Sequence, residues 1–302
     1  LAHAGSQSRV PTVEPLAPSP VPNALTGRLV SQASNEEIER AIDAFGAGAR
    51  RAVESGFDGV HIHGANGYLI SEFSSPLTNR REDSWGGTPE QRHQFALAVV
   101  RSVRQSVPSR FPVTMKLGLA DAPVGGLELD ESMARAGELV AAGLDAIEVS
   151  VNVMESPTNS AGKYIAVDRR RAFEDLLPLR VLARPGAEAY FLPWAQALRR
   201  RVDTTIVLVG GLRTTETMNR LLNEGEVDFL AMARPLIREP DLVRQLATGR
   251  VGRVDCTSCN LCLAHEGHHS LRCWRVPRKR LLQHAAYRLL GGLRRGILTT
   301  RR

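Results

Sequence analysis

Residues 56–87 read GFDGVHIHGANGYLISEFSSPLTNRREDSWGG, and the architecture of the chain follows outward from them. From Asp58 to His63 the side chains alternate: Val60 and Ile62 fall on one side, His61 and His63 on the other. That is the two-residue period of a β-strand. A strand that sends apolar groups one way and two imidazoles the other lines something polar. Asn66, Gly67 and Tyr68 follow at once, which places hydrogen-bonding groups and a phenol at the strand's C-terminal end, where parallel α/β folds carry their active sites.

The same unit, strand then helix, repeats along the chain. Ser34 and Glu37 form a capping box ahead of Ile38, Ala41, Ile42, Phe45, Ala49, Ala52 and Val53, which share one helical face. Further helices are expected from about Thr88, with Phe95, Val99 and Val103 inward, and over 130–142, 187–200, 215–222 and 240–247. Strands are expected over 113–118, 146–150, 205–210 and 229–233. Apolar runs such as TIVLVG and FLAMA alternating with helices indicate a parallel sheet covered on both faces. Residues 9–30, rich in Pro, Ser and Val without periodicity, are expected to form an excursion loop. Five strands, with a sixth cut short at 1–4, fit either an open doubly wound sheet or a (β/α)8 barrel lacking two units.

Composition bounds the class. A chain of 302 residues, 43% hydrophobic and 24% charged, can bury a substantial core. No apolar run approaches the ~20 residues of a membrane span, and no charged-then-apolar leader opens the chain, so a cytoplasmic protein is expected. The net charge is +7, but ten Lys and Arg residues and no acid lie from Arg272 onward, and 7 less 10 leaves −3 for the remainder. No nucleic-acid partner is expected from a mildly acidic body. The tail, with helical apolar spacing at Leu281, Leu282, Ala285 and Leu289, reads as a solvated extension. All four cysteines, Cys256, Cys259, Cys262 and Cys273, fall in the order C-x2-C-x2-C-x10-C, a pattern that suggests a metal site rather than disulfides.

The run from 56 to 104 resembles the Old Yellow Enzyme family of FMN-dependent oxidoreductases. The resemblance rests on His63, Asn66, Gly67, Tyr68 and Leu69, then on Asn79, Arg80, Asp83, Trp85, Gly86 and Gly87. It continues through Lys116, Gly210 and Gly211, and the run Ala233, Arg234, Pro235, and LAHAG at 1–5 is similar to the family's third barrel strand. It implies an α/β fold of the (β/α)8 barrel type lacking the first two β/α units, over 1–250. A four-cysteine segment over 251–275 and a basic tail over 276–302 would follow. His61 stands where the family usually has an acid, and Ala233 where Gly is frequent.

The resemblance implies a function and its residues. FMN would carry hydride from NADH or NADPH to an activated alkene, a small molecule such as an α,β-unsaturated carbonyl compound. His63 and Asn66 would polarise the substrate oxygen, and Tyr68 would donate the proton. Lys116 would face the flavin ring, and Gly210, Gly211, Ala233 and Arg234 would hold the phosphate. Lys116 could equally be an interior ion pair with Glu148, and His61 reads as structural. The four cysteines resemble the four-iron four-sulfur (4Fe-4S) site of the 2,4-dienoyl-CoA reductase and trimethylamine dehydrogenase branch. That branch usually spaces the second and third by three residues, where this chain has two; zinc is the competing metal, and His265, His268 and His269 are alternative ligands. A homo-oligomer or an electron-transfer partner is consistent with this reading. The alternative is a catalytically inactive truncated barrel that serves as a metal-bound or interaction module.

Overall fold

The computed structural model describes residues 1–8, 14–23, 27–153, 188–259, 261–264 and 269–289. They form two compact units, of which the first comprises Leu1–Glu155, Phe191–Leu208 and Glu226–Phe229. In chain order the elements are α1 (Asn35–Glu54), β1 (Val60–Gly64), α2 (Leu69–Ser74), α3 (Pro89–Gln105), β2 (Val113–Ala120), α4 (Leu129–Ala141) and β3 (Ala146–Val151). After these come α5 (Leu192–Arg199), β4 (Thr205–Val209), α6 (Thr215–Asn223), β5 (Phe229–Ala231), α7 (Arg234–Arg238), α8 (Leu242–Ala247), α9 (Leu261–Ala264) and α10 (Arg278–Leu289). The strands form one sheet in the order β1-β2-β3-β4-β5, and β1 to β4 pair in parallel.

Local chemistry starts the helices. At α1 the Ser34 hydroxyl accepts from the Glu37 N–H at 3.2 Å while the Glu37 carboxylate accepts from the Ser34 N–H at 2.8 Å, the expected capping box. Thr88 and Gln91 repeat the device at α3, whose Pro89 gives up no helical bond in the first turn. The faces named for these helices pack inward, with Ile38, Ala49, Phe95, Val99 and Val103 fully buried. A Cβ on Gly46 would lie 2.5 Å from the Ser102 Oγ, so only glycine lets α1 approach α3 this closely.

The sheet departs from expectation on one face. Ile62, Met115, Leu117, Ile147 and Val149 are fully buried on the side where α2 packs on β1 and α4 on β2. The opposite side carries His61, His63, Thr114, Lys116 and Glu148, none of them fully buried, so over β1 to β3 the sheet is apolar on one face and polar on the other. Phe229, in the edge strand β5, is 61% exposed where a buried run was expected, because β5 has a neighbour on one side only. At the other edge the Leu1 ammonium donates to the His61 carbonyl at 2.6 Å, and the His63 N–H donates to the Leu1 carbonyl at 2.8 Å. Residues 1–4 thus make one step of a parallel ladder without forming a strand, and a short 3-10 turn, Gly5–Gln7, follows.

Asp121, just past β2, ties three loops at the C-terminal ends of the strands. One oxygen accepts from the Ser75 hydroxyl and, at 2.7 Å, from the Leu127 N–H; the other accepts from the Asn152 amide and the Val153 N–H, both at 2.8 Å.

In the second unit, the basic tail is helical over Arg278–Leu289 rather than simply solvated. Its inward face also differs from the leucine spacing, since His284 is buried while Leu282 is 71% exposed. The rings of Tyr287, His269 and Trp274 explain this. Tyr287 lies 4.7 Å from His269 and 6.1 Å from Trp274, so aromatic contacts rather than leucines orient the helix.

Among the described residues no helix is long and apolar enough to cross a membrane. His93 of α3 is buried, with neither ring nitrogen in a hydrogen bond. Burial, and after it the charges of Arg135 and Arg101, push its pKa from 6.5 down to about 3. The folded chain therefore binds fewer protons here than the unfolded chain. The stability that neutral His93 contributes is complete above pH 6.5 and is lost as the pH falls toward 3. Thermal melts across this range are expected to show a falling Tm that flattens in His93→Leu; an equally steep fall in the variant would show that His93 does not cause it.

Candidate active site

Register places the polar side chains of three strands in a row. His63 of β1 lies opposite Lys116 of β2, and Lys116 opposite Glu148 of β3. The Lys116 ammonium donates to one Glu148 oxygen, and His61 Nε2 lies 3.1 Å from the other. His61 Nδ1 sits 2.7 Å from the Thr114 hydroxyl. Burial works to raise the Glu148 carboxyl, but His61 and Lys116 outweigh it and hold the pKa below its ordinary value. Lys116 therefore stands in the ion pair weighed as its alternative role, and His61 is bound into the same cluster.

His63 behaves differently from His61. Among the described residues it makes no ion pair; burial first, then the positive charges of Lys116 and His61, lower its pKa from 6.5 to about 4. At neutral pH the ring is an uncharged imidazole that can donate one hydrogen bond and accept another. The Tyr68 ring meets it edge-on, with centroids 4.6 Å apart and planes at 73°.

The chain turns sharply between these two rings. Asn66 and Gly67 both have positive φ, 60° and 74°, a left-handed conformation that Asn tolerates better than most residues and Gly adopts freely. Their N–H groups donate to the carbonyls of Val151, at 3.1 Å, and Asn152, at 2.7 Å, in the loop after β3. Their carbonyls accept from one donor, the Gln7 side-chain amide, which lies 2.9 Å from the Asn66 oxygen and closer still to that of Gly67. The Asn66 amide reaches the Ser150 hydroxyl at 3.4 Å. His63, Asn66 and Tyr68 thus gather at the end of β1. Gln7 was not foreseen, since nothing in the spacing of GSQ announces a contact some sixty residues away.

The remaining expected residues lie in the second unit. Gly210 and Gly211 follow β4 with φ of 108° and 76°. Arg213, two residues on, is 1% exposed; it donates to the Ser258 hydroxyl at 2.5 Å and reaches the Gly211 carbonyl at 3.4 Å. Its pKa is lowered by burial and then by the charge of Arg234, while Cys256 acts in the opposite sense. Arg213 went unnoticed in the sequence, although an arginine just after the glycine pair was the available signal. Arg234 opens α7, half-buried, and Ala233 is its exposed N-cap.

Cys256, Cys259, Cys262 and Cys273 are half-buried thiols, and all four line one small cavity of about 20 Å3, together with Arg234, Arg238 and Arg275. Burial raises the Cys259 thiol pKa. The donors are those of a thiolate centre, although as arranged no three His, Cys, Asp or Glu side chains among the described residues converge on one point. His269 contributes to the aromatic cluster, and His265 and His268 lie outside the described residues.

Known proteins place this arrangement. The profile of the NADH:flavin oxidoreductase / NADH oxidase family matches residues 1–252. The chain is 33% identical over 276 residues to an NADH oxidase of Thermoanaerobacter brockii, covering 89% of this chain and 39% of that protein. It is 33% identical over 240 residues to an NADPH dehydrogenase of Geobacillus sp. (strain WCH70), covering 80% of this chain and 62% of that one. It therefore spans 39% and 62% of the length of these relatives. The solved structure of a 2-naphthoyl-CoA reductase in complex with 2-naphthoyl-CoA aligns with a TM-score of 0.69 at 27% identity, over 82% of this chain and 35% of that chain. The parallel sheet and its helices are those of a (β/α)8 barrel, and the chain belongs to the NADH:flavin oxidoreductase / NADH oxidase family.

Proposed function

We propose that this chain supplies the FMN-binding and catalytic residues of an NAD(P)H oxidoreductase that reduces an activated alkene, of the α,β-unsaturated carbonyl type. The observation that carries the reading is a neutral His63 held edge-on against Tyr68 across the Asn66–Gly67 turn. A reduced nicotinamide as donor is supported by relatives named NADH oxidase and NADPH dehydrogenase.

The residues fit a flavin phosphate. Two successive glycines of positive φ form the turn after β4, where no Cβ obstructs a ligand's approach to the backbone, and Arg213 and Arg234 lie close enough for one to lower the other's pKa. A phosphate dianion relieves such a like-charge pair. Gly210, Gly211, Ala233, Arg213 and Arg234 would hold that end of the cofactor. Lys116 could face the ring only while sharing its ammonium with Glu148. The chemistry a bound FMN supplies is hydride transfer from nicotinamide to alkene.

The protein's own groups do the rest. His63 and the Asn66 amide donate hydrogen bonds to the substrate oxygen, on which negative charge grows as the alkene is reduced. Because the His63 pKa is about 4, its ring stays neutral throughout the neutral range and donates without changing charge. Tyr68 holds the proton for the α-carbon. The four cysteines, whose thiols share one cavity, are inferred to be ligands of an iron centre once drawn together.

Incubating the full chain with FMN and removing the excess is expected to leave bound flavin and NAD(P)H-dependent loss of an enone; no retained flavin would overturn the reading. Tyr68→Phe is expected to slow enone reduction by about 10²–10⁴-fold while nicotinamide still reduces the bound flavin at the parental rate. Unchanged enone turnover would assign the proton to another donor. Metal analysis after anaerobic purification is expected to find iron, lost in Cys259→Ser; neither iron nor zinc would remove the metal reading.

A further inference from the structure

A cavity of about 280 Å3 opens behind the Asn66–Gly67 turn, within the first unit. Most of its wall is apolar, from Ala17, Pro18, Val21, Pro22, Leu77 and Val153. Among the described residues one ionisable side chain lines it, Glu72 of α2, which is 2% exposed. The Ser6 N–H lies 3.2 and 3.1 Å from the two Glu72 oxygens, and the Ser6 hydroxyl donates to the first. Asn23 supports that hydroxyl at 2.7 Å. No Lys, Arg or His among the described residues pairs with the carboxylate.

We infer that this cavity is a binding site for a small organic cation, an alkylammonium group, with Glu72 as its counter-ion. A carboxylate sealed in an apolar wall is costly unless a positive charge joins it. Burial raises the Glu72 pKa to about 7, against the bonds from Ser6 that lower it, so the empty site is half-protonated near neutrality. A cation entering the cavity completes the pair, and the apolar wall takes its alkyl chain. At a share of roughly 30 Å3 per water-sized group, the volume admits about nine such groups. That suits a short-chain amine. Among the described residues the wall supplies no cation for an anionic ligand to meet, and a neutral ligand leaves the charge of an ionised Glu72 unanswered.

The test reads binding alone and needs no flavin chemistry. The full chain is titrated calorimetrically with n-butylammonium chloride and, in parallel, with n-butanol, one pH unit above and one below the Glu72 pKa of about 7. The amine, with a pKa near 10, stays charged at both. Saturable amine binding is expected, tighter at the higher pH, where Glu72 is ionised, and weaker by up to about tenfold at the lower. Butanol and Glu72→Gln are each expected to lose roughly tenfold or more. Leu77→Trp, which fills the cavity and leaves Glu72 in place, is expected to abolish binding with the circular dichroism spectrum retained, and so serves if the Gln variant does not fold. No saturable binding, equal affinity for the alcohol, or binding indifferent to these variants would falsify the inference and leave Glu72 as an anchor for the Gly5–Gln7 turn.

Discussion

The site hangs on two consecutive left-handed residues. His63 and Tyr68 can face each other only if the chain reverses within the residues between them, and Asn66 and Gly67 do this with φ of 60° and 74°. For Asn the conformation costs of order 1 kcal/mol. Four polar backbone groups of the turn are also withdrawn from water, each needing a partner. The loop after β3 accepts both N–H groups and the Gln7 amide donates to both carbonyls, so every one is met. At about 0.5–1.5 kcal/mol for each such bond, the set offsets the strain. Asn66 thus serves twice, as a residue that tolerates the conformation and as a carrier of an amide at the strand end.

A second constraint is electrical. The parallel register puts His63, Lys116 and Glu148 in a line, and the strand period brings His61 onto the same face. Glu148 pairs with Lys116 and lies beside His61, and the influence of these two on His63, which opposes its protonation, exceeds that of Glu148, which favours it. A histidine of ordinary pKa would change charge across the neutral range, whereas this one stays neutral because burial and its neighbours act in the same direction. The polar row therefore reinforces what burial has already done to the imidazole beside it.

Much of this was legible in the sequence, and the boundary of legibility is physical. Both long N-terminal helices, the alternation in β1 and the gathering of His63, Asn66 and Tyr68 follow from periodicity and capping, which act between residues close in sequence. Gln7, Asp121 and Arg213 were invisible because their partners lie 59, 31 and 45 residues away, at distances that only the folded chain closes. The polar second face of the sheet was half visible. The histidines announced it in β1, but Lys116 and Glu148 each stand alone in an apolar run, and a single charge has no period. In α10 the leucine spacing misled, since a helix turns toward whatever it can pack against, and there the partners are Trp274 and His269.

Gln7 joins the turn and the cavity of the first unit. Its amide holds the carbonyls of the turn, and the same side chain lines the cavity that contains Glu72. The Ser6 groups that bind Glu72 belong to the preceding residue, so the carboxylate and the turn are linked through one short 3-10 segment. Any occupant that shifts Gln7 or Ser6 changes the energy of the Asn66 conformation. By linkage, any ligand that fixes Asn66 changes the affinity of the cavity by the same factor. The coupling has to be reciprocal in binding, although its effect on turnover can be one-sided. A protonation at Glu72 enters the same balance, because it removes the charge that a cation answers while leaving the Ser6 contacts in place. The segment Gly5–Gln7 is therefore the element through which the contents of the cavity and the geometry of the turn are made to agree.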